Sequence, residues 1–216
     1  MAAHVLAKGQ TNADKRASVR VEGLKFGGKA MKYAARMIAL CSWLVCAACG
    51  PPWVVVTATD PNPLPAEREF VVDEVRYEKV LVGDASESGW LRKQDEKQRA
   101  AWDTGKRRLS QRYAESLASH LPEVKFAKPN EADAFVVRSR VTFIEPGFYT
   151  VTAARPTQVN MTVEIANRAG RAVDVIEIRA TAPATMSAPT IAERLASAAE
   201  TLGERTAEYL RSRVFP

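Results

Sequence analysis

The chain has 216 residues, and its 31 Lys and Arg against 25 Asp and Glu give a formal net charge of +6. The whole excess lies in the first 48 residues, which hold eight basic and two acidic side chains and leave 23 of each sign for the rest. This balance excludes the basic surface that drives non-specific nucleic-acid binding. All three cysteines lie between positions 41 and 49, which excludes a disulfide framework in the remaining chain.

The first 48 residues have the composition of a targeting segment. Residues 1–30 are polar and basic without periodicity, and we interpret them as a disordered extension or as a mis-called start ahead of Met31. Residues 31–48 place two basic side chains before an apolar run that ends in small residues, as in a secretory signal peptide. The run from Met37 to Cys49 is shorter than the roughly 20 residues of a transmembrane helix, which is the alternative interpretation.

The end of this run, Cys46-Ala47-Ala48-Cys49-Gly50, resembles the lipobox of bacterial lipoproteins, in which small residues precede the cysteine that becomes the acylated first residue. The usual lipobox has Leu where Cys46 stands. The resemblance implies that Cys49 is lipidated after residues 31–48 are removed. An ordinary cleaved signal peptide that leaves an unmodified cysteine is the alternative. By the same resemblance, Gly50 in second position implies transfer to the outer membrane, on the periplasmic side.

The remaining chain divides into a tether and one domain. Five prolines between positions 51 and 65 predict an extended tether over residues 49–68, in which residues 53–56 either lie against the membrane or begin a strand. Residues 69–216 are predicted to form a single periplasmic domain, because apolar residues recur there with the periods of strands and helices. In chain order we predict a strand at 69–82, a helix at 94–120, strands at 124–127, 134–145, 158–166 and 173–181, and a helix at 190–213.

This order predicts an α+β fold: a mostly antiparallel sheet of about four to five strands, with two helices packed on one face. Thr190 and Glu193 have the spacing of a capping box, which predicts the start of the last helix. The alternation along the strands leaves the second face of the sheet to water or to a partner.

No catalytic or metal-binding motif is recognisable after residue 48. His120 is the one histidine there, and a zinc site or a nucleophile–histidine pair needs a second histidine or a free cysteine that this sequence lacks. A phosphate-binding Walker loop and a dinucleotide-binding glycine motif are also missing. We therefore predict no cofactor, no metal and no catalytic residue, and we keep an enzyme as the third candidate function.

The lipobox, the tether and a strand–helix–strands–helix domain together resemble small Gram-negative envelope lipoproteins related to the curli-secretion lipoprotein and the TolB amino-terminal domain. The resemblance covers about residues 69–213. It is clearest at Asn130-Glu131-Ala132-Asp133-Ala134-Phe135-Val136-Val137, where an Ala-Asp step precedes a hydrophobic strand. It carries over no functional residue, and it implies a role in envelope assembly or interaction rather than in catalysis.

We therefore predict a membrane-anchored envelope lipoprotein that binds another envelope protein or complex. The candidate partner-binding residues are Phe148, Tyr149 and Arg155, because aromatic and Arg side chains on a connecting loop are the types that dominate binding hot spots. The alternative for the two aromatic residues is that they extend a strand or cover the core. A carrier of a small apolar ligand is the second candidate function, and a pocket of several hundred Å³ would favour it.

Overall fold

The structure is a computed structural model that describes residues 51–127 and 134–216. The predicted signal peptide, the lipidation site at Cys49 and the Asn130–Asp133 part of the family resemblance lie outside the described residues. The strands are β1 (Trp53–Ala58), β2 (Glu69–Val72), β3 (Leu81–Val82), β4 (Ala85–Ser86), β5 (Lys125–Ala127), β6 (Phe135–Glu145), β7 (Phe148–Tyr149), β8 (Ala154–Arg155), β9 (Thr157–Ala166) and β10 (Ala172–Ala182). The helices are α1 (Glu87–Leu91), α2 (Glu96–His120) and α3 (Ile191–Val214).

A mixed sheet of eight strands carries the fold within the described ranges. Its main order is β1-β10-β9-β6-β2-β5, with β3 also paired to β6 and β4 paired to β3. The pairs β1–β10, β10–β9 and β9–β6 are antiparallel, whereas β2 is parallel to β5 and β6, and β3 is parallel to β6. The prediction of a mostly antiparallel sheet of four to five strands with two helices is therefore wrong, although the class remains α+β.

The extra strands and the parallel pairs have physical reasons. The long helix α2 connects β2 to β5, and such a crossover returns the chain to the same end of the sheet, so the joined strands run parallel. The strands β3 and β4 have two residues each, too few for an alternating pattern. The strand β1 lies in the segment that we predicted to be a tether because of its prolines. The alternative prediction, that residues 53–56 begin a strand, is confirmed.

The helices α2 and α3 lie side by side on one face of the sheet and enclose a filled core. The predicted capping box at Thr190 and Glu193 is confirmed at the start of α3, and Asp95 with Gln98 forms a second one at the start of α2. The two helices approach each other closely at Gly203, where a Cβ atom would lie 2.6 Å from the Cβ of Ser116. The largest side chains that are almost fully buried include Trp102, Tyr113, Tyr209, Phe70 and Leu64.

A buried carboxylate fixes the strand β1 and the residues after it to the domain. Asp174 has no exposed surface, and its oxygens accept hydrogen bonds from the backbone N–H of Thr59 (3.0 Å), from the hydroxyl of Tyr209 (2.8 Å) and from Arg213 Nε (2.8 Å). Leu64 is also fully buried. Residues 53–64, which we predicted as part of the tether, therefore belong to the folded domain.

Candidate interaction surface

The strand register points the start of β1 toward the end of the sheet that carries the predicted binding residues. Thr157 lies opposite Ala182, so β9 begins where β10 ends, whereas Trp53 lies opposite Ile178, so β1 begins part-way along β10 and runs away from that end. The strand β6 ends beside the start of β9. We call this end of the sheet the anchor end, because Cys49 lies four residues before Trp53 in the sequence.

The hairpin of β7 and β8 projects from the anchor end as a separate two-stranded sheet. Phe148 pairs with Arg155, and Tyr149 pairs with Ala154. The side chain of Phe148 is 47% exposed, and Val151 in the turn is fully exposed. The three predicted partner-binding residues thus lie together on one small hairpin at the edge of the domain.

The two aromatic residues differ in their surroundings. Phe148 belongs to β7 but is far from buried, so the alternative that it covers the core is wrong for this side chain. Tyr149 is half-buried. Arg155 is exposed and forms an ion pair of 3.3 Å with Glu145 at the base of the hairpin. Their role in partner binding stays a prediction.

A buried arginine fastens the hairpin to the neighbouring loop. Arg194 in α3 is 3% exposed, and it donates from Nε to Thr157 Oγ1 (2.8 Å), from Nη2 to the carbonyl of Pro146 (3.2 Å) and from Nη1 to the carbonyl of Ala188 (3.3 Å). Burial lowers the pKa of this guanidinium, and the charge of Glu193 partly opposes that shift. The loop between β10 and α3 and the base of the hairpin are therefore held by one side chain.

Three further apolar side chains are exposed at the anchor end, and the sequence analysis did not single them out. They are Val151 (100% exposed), Met186 (83%) in the loop before α3, and Leu81 (50%) in β3. Val151 and Met186 are single apolar residues in a turn and a loop, and Leu81 lies in a strand of two residues, so no periodic pattern distinguishes them.

The strand β1 presents a free apolar edge. It pairs with β10 on one side, and no described strand pairs with its other side. Val54 is 64% exposed, Val55 is 48% exposed and Val56 is 56% exposed. The register shifts between Val55 and Thr57, and none of the six residues of β1 is charged. An uncharged, exposed edge of this kind is a template for pairing with another strand.

The sheet face opposite the helices is polar. Arg138 on this face forms ion pairs with Glu164 (3.1 Å) and Asp73 (3.6 Å). A depression of about 400 Å³ beside them is also bordered by Arg76 and Arg140. Acidic and basic groups alternate across this face, so it does not form a uniformly charged ligand site.

A larger groove of about 710 Å³ lies between α2 and the chain that follows β2. The hydroxyl of Tyr77 in this groove donates to the carbonyl of Lys106 (2.9 Å), and burial raises the pKa of Tyr77 to about 12. Charged side chains line much of the groove, among them Asp73, Asp103 and Arg107. Apolar side chains, among them Val72 and Ala114, line the rest of it.

The described residues contain neither a group of three or more potential His, Cys, Asp or Glu metal ligands nor a helix long and apolar enough to cross a membrane. His120 is the last residue of α2. Its Nδ1 donates to the carbonyl of Ser116 at 2.9 Å, so the ring is bonded to the last turn of its own helix.

No protein-family model matches the chain, and no curated protein matches it. Several solved structures are similar, and two of them illustrate the likeness. One is the PelC dodecamer from Paraburkholderia phytofirmans, with 14% identity, a TM-score of 0.39 and coverage of 71% of this chain and 96% of that chain. The other is the hypothetical protein CT253 from Chlamydia trachomatis, with 11% identity, a TM-score of 0.40 and coverage of 68% and 98%. At these values the likenesses carry no argument about function, and the resemblance to the curli-secretion and TolB lipoproteins stays a prediction.

Proposed function

We propose that this chain is a lipid-anchored module of the bacterial cell envelope that binds another envelope protein by accepting one of its strands at the free edge of β1. The observation that carries the proposal is the edge itself, with three consecutive exposed valines and no charge. Strand edges of soluble domains are commonly protected by Lys, Pro, β-bulges or inward-pointing charges, and of these β1 has the register shift between Val55 and Thr57 but no charge. An added strand gains main-chain hydrogen bonds for affinity and side-chain contacts for specificity.

The position of the edge in the chain supports an envelope partner. Trp53 is the fourth residue after Cys49, so the chain between them spans at most about 14 Å when extended. With Cys49 acylated, β1 lies close to the membrane surface, where the proteins it meets are those of the envelope. Trp53 packs edge-to-face on Tyr209 of α3 with ring centroids 5.8 Å apart, so the start of the strand is held in place before any partner arrives.

The filled interior favours this function over a carrier of a small apolar ligand. Trp102, Tyr113 and Leu117 have no exposed surface and occupy the space between sheet and helices, where a carrier would keep a cavity. The groove beside α2 has the volume of a ligand site, and charged and apolar side chains share its lining.

Site-specific photocrosslinking in intact cells tests the proposal. A benzophenone amino acid replaces Val54 in one variant and the exposed Ala169, in the turn at the far end of the sheet, in a matched control. We expect a crosslinked envelope protein from position 54 and none from position 169. In Val56→Lys the charge added to the edge should abolish the crosslink, while the melting temperature stays unchanged.

Three results would contradict the proposal. The same products from both positions would mean unspecific collision. A crosslink that persists in Val56→Lys would show that the edge is not the contact. A product composed of two copies of this chain would show self-association in place of a second protein.

A further inference from the structure

We infer that the depression on the sheet face opposite the helices binds the phosphate group of a small polar molecule such as a sugar phosphate. The groups that would hold the phosphate are the side chains of Arg76, Lys79, Arg140 and Thr162, which all line the depression. They lie on β6, on β9 and on the chain between β2 and β3, whereas the edge of β1 is on the far side of β10. The inference is therefore independent of the proposed strand partner and of the lipid anchor.

The sheet face as a whole carries both signs of charge, but the nearest neighbours of Arg140 in the sheet are cations and a hydroxyl group. Arg140 pairs with Thr162 of β9 on one side and forms a single bridge with Arg76 on the other. Arg138 lies two residues before it and therefore on the same face. Like charges at directly neighbouring strand positions repel each other. Arg140 is exposed and forms no ion pair with a described residue, so a bound anion would remove this repulsion.

Lys79 stands at a backbone position that is ordinarily taken by glycine. The N–H of Val80 donates to the carbonyl of Tyr77 (3.3 Å), which makes Lys79 the third residue of a four-residue turn, and its φ is 61°. A positive φ at this turn position strains a residue that has a Cβ atom, and Gly or Asn usually occupies it. The side chain of Lys79 is exposed and has no ion-pair partner in the described part of the chain, so packing does not offset the strain. What the lysine adds at this position is a positive charge at the rim of the depression.

The carboxylates near the depression are directed mainly to Arg138. Glu164 forms an ion pair with Arg138 at 3.1 Å, and Asp73 lies 3.6 Å from the same guanidinium. Asp73 also lies 3.7 Å from Arg76, whose side chain is 53% exposed and therefore able to turn toward a ligand. Arg138 is thus matched by two carboxylates, and the other cations of the depression keep most of their charge for an anion.

The available donors and the polar lining indicate the class of ligand. Two guanidinium groups, one ammonium group and the hydroxyl of Thr162 are available, since that hydroxyl forms no hydrogen bond with a described residue. The three terminal oxygens of a phosphate can accept from all of these groups, and the guanidinium fork matches their geometry. Every residue that lines the depression is polar or charged, so the molecule that carries the phosphate is polar as well. The volume of about 400 Å³ is in the range of small-molecule sites.

Isothermal titration calorimetry of the full chain, purified in a non-ionic detergent, tests the inference with glucose 6-phosphate. Glucose and glucuronic acid are the matched ligands, because glucuronic acid carries a carboxylate at the carbon that bears the phosphate. Arg140→Gln removes the cation between β2 and β9, and Arg179→Gln is its control, since Arg179 is exposed on β10 outside the depression. Lys79→Gly removes a charge and relieves the strained turn. Glu78→Gln removes the one lining carboxylate that has no ion pair with a described residue.

We expect glucose 6-phosphate to bind with a millimolar or lower dissociation constant, and more tightly than either matched ligand. Arg140→Gln should weaken binding about tenfold or more, which is the usual effect of losing a hydrogen bond to a charged group, and Arg179→Gln should leave it unchanged. Lys79→Gly should weaken binding while the melting temperature stays constant or rises, and Glu78→Gln should strengthen binding.

Four results would overturn the inference. One is no binding of glucose 6-phosphate beyond that of glucose. Equal binding of glucuronic acid would mean that the depression takes any anion, and equal weakening in Arg140→Gln and Arg179→Gln would mean unspecific attraction. Binding to mixed micelles that contain phosphatidic acid, without binding to glucose 6-phosphate, would assign the site to a lipid headgroup instead of a soluble molecule. A lower melting temperature with unchanged binding in Lys79→Gly would remove Lys79 from the site and leave it a structural role only.

Discussion

Removing the carboxylate of Asp174 should destabilise the domain more than any change at its surface. The side chain is fully buried, and it accepts hydrogen bonds from Thr59 N, Tyr209 Oη and two nitrogens of Arg213, with donor–acceptor distances between 2.8 and 3.2 Å. These contacts join three separate parts of the chain: the end of β1, the strand β10 and the last turn of α3. In Asp174→Ala all four donors lose their acceptor at once.

The size of the effect follows from the burial of those donors. Removing one partner of a buried ion pair costs about 3–5 kcal/mol. The estimate for the neutral donors is consistent, since an unsatisfied buried N–H or hydroxyl costs about 1–3 kcal/mol. Arg213 moderates the loss because its side chain is 20% exposed and can be hydrated. We therefore expect the free energy of unfolding to fall by about 3–5 kcal/mol, a large part of the roughly 5–15 kcal/mol typical of a domain.

Urea unfolding of the chain from Gly50 to Pro216, which forms one compact unit, measures this change. Glu177→Ala is the matched control, because Glu177 lies on the same strand with an exposed side chain. The control should change the free energy of unfolding by less than about 0.5 kcal/mol. A loss below about 1 kcal/mol in Asp174→Ala would refute the reasoning, because it would mean that the carboxylate is not the group that joins the three segments.

Three other perturbations follow from the structure. A chain that begins at Glu69 loses β1 and the buried Leu64. Its free energy of unfolding should be lower than that of the chain from Gly50 by about 2–5 kcal/mol, the cost of losing a buried leucine, and its urea midpoint should be lower as well. In Gly203→Ala the new methyl group would lie 2.6 Å from Ser116 Cβ, and the overpacking should lower the free energy of unfolding by about 1–3 kcal/mol. Burial raises the pKa of Tyr77 to about 12, so the folded state keeps the phenol proton after the unfolded state has lost it, and the urea midpoint should fall above about pH 10.

Each of these has its own control. Equal urea midpoints for the two chain lengths would show that β1 adds nothing to the domain. Gly105→Ala is the comparison for the second change: its nearest neighbour is a terminal methyl group of Leu195 at 2.9 Å, whereas Gly203 meets the backbone of α2 as well, so Gly105→Ala should cost less. For Tyr77, the stabilisation is fully present below the pKa that the phenol has in the unfolded state. It is lost as the pH rises toward the pKa that the phenol has in the folded state. A midpoint that stays constant through this range would contradict the account, and Tyr77→Phe should reduce the decline.

The helices and the long antiparallel strands could be predicted because their signals are local. The capping box at Thr190 and Glu193 needs four consecutive residues, and the alternation along β9 needs one strand. The strand pairing could not be predicted, because it depends on where the chain returns after 25 residues of helix. The strand β1 was ambiguous because its valines stand among prolines.

The candidate surface was only partly visible in the sequence. Phe148 and Arg155 stand out by residue type, and they do face each other across the hairpin. Val151 and Met186 do not stand out, because exposure in a loop leaves no periodic trace. Nothing in the sequence distinguishes Asp174 from other polar residues at strand ends. Its structural role depends on hydrogen-bond donors that lie 35 to 115 residues away in the sequence.

Acylation of Cys49 is the most direct test of the central claim, that this is a lipid-anchored envelope module. Cells expressing the full chain are grown with radiolabelled palmitate, and the protein is isolated from separated membrane and soluble fractions, alongside Cys49→Ala. The account predicts that the wild-type chain carries the label, lies in the membrane fraction and is shorter than the full sequence by the signal segment. The Cys49→Ala variant should carry no label. A wild-type chain without label in the soluble fraction would contradict the anchor and every conclusion that depends on it.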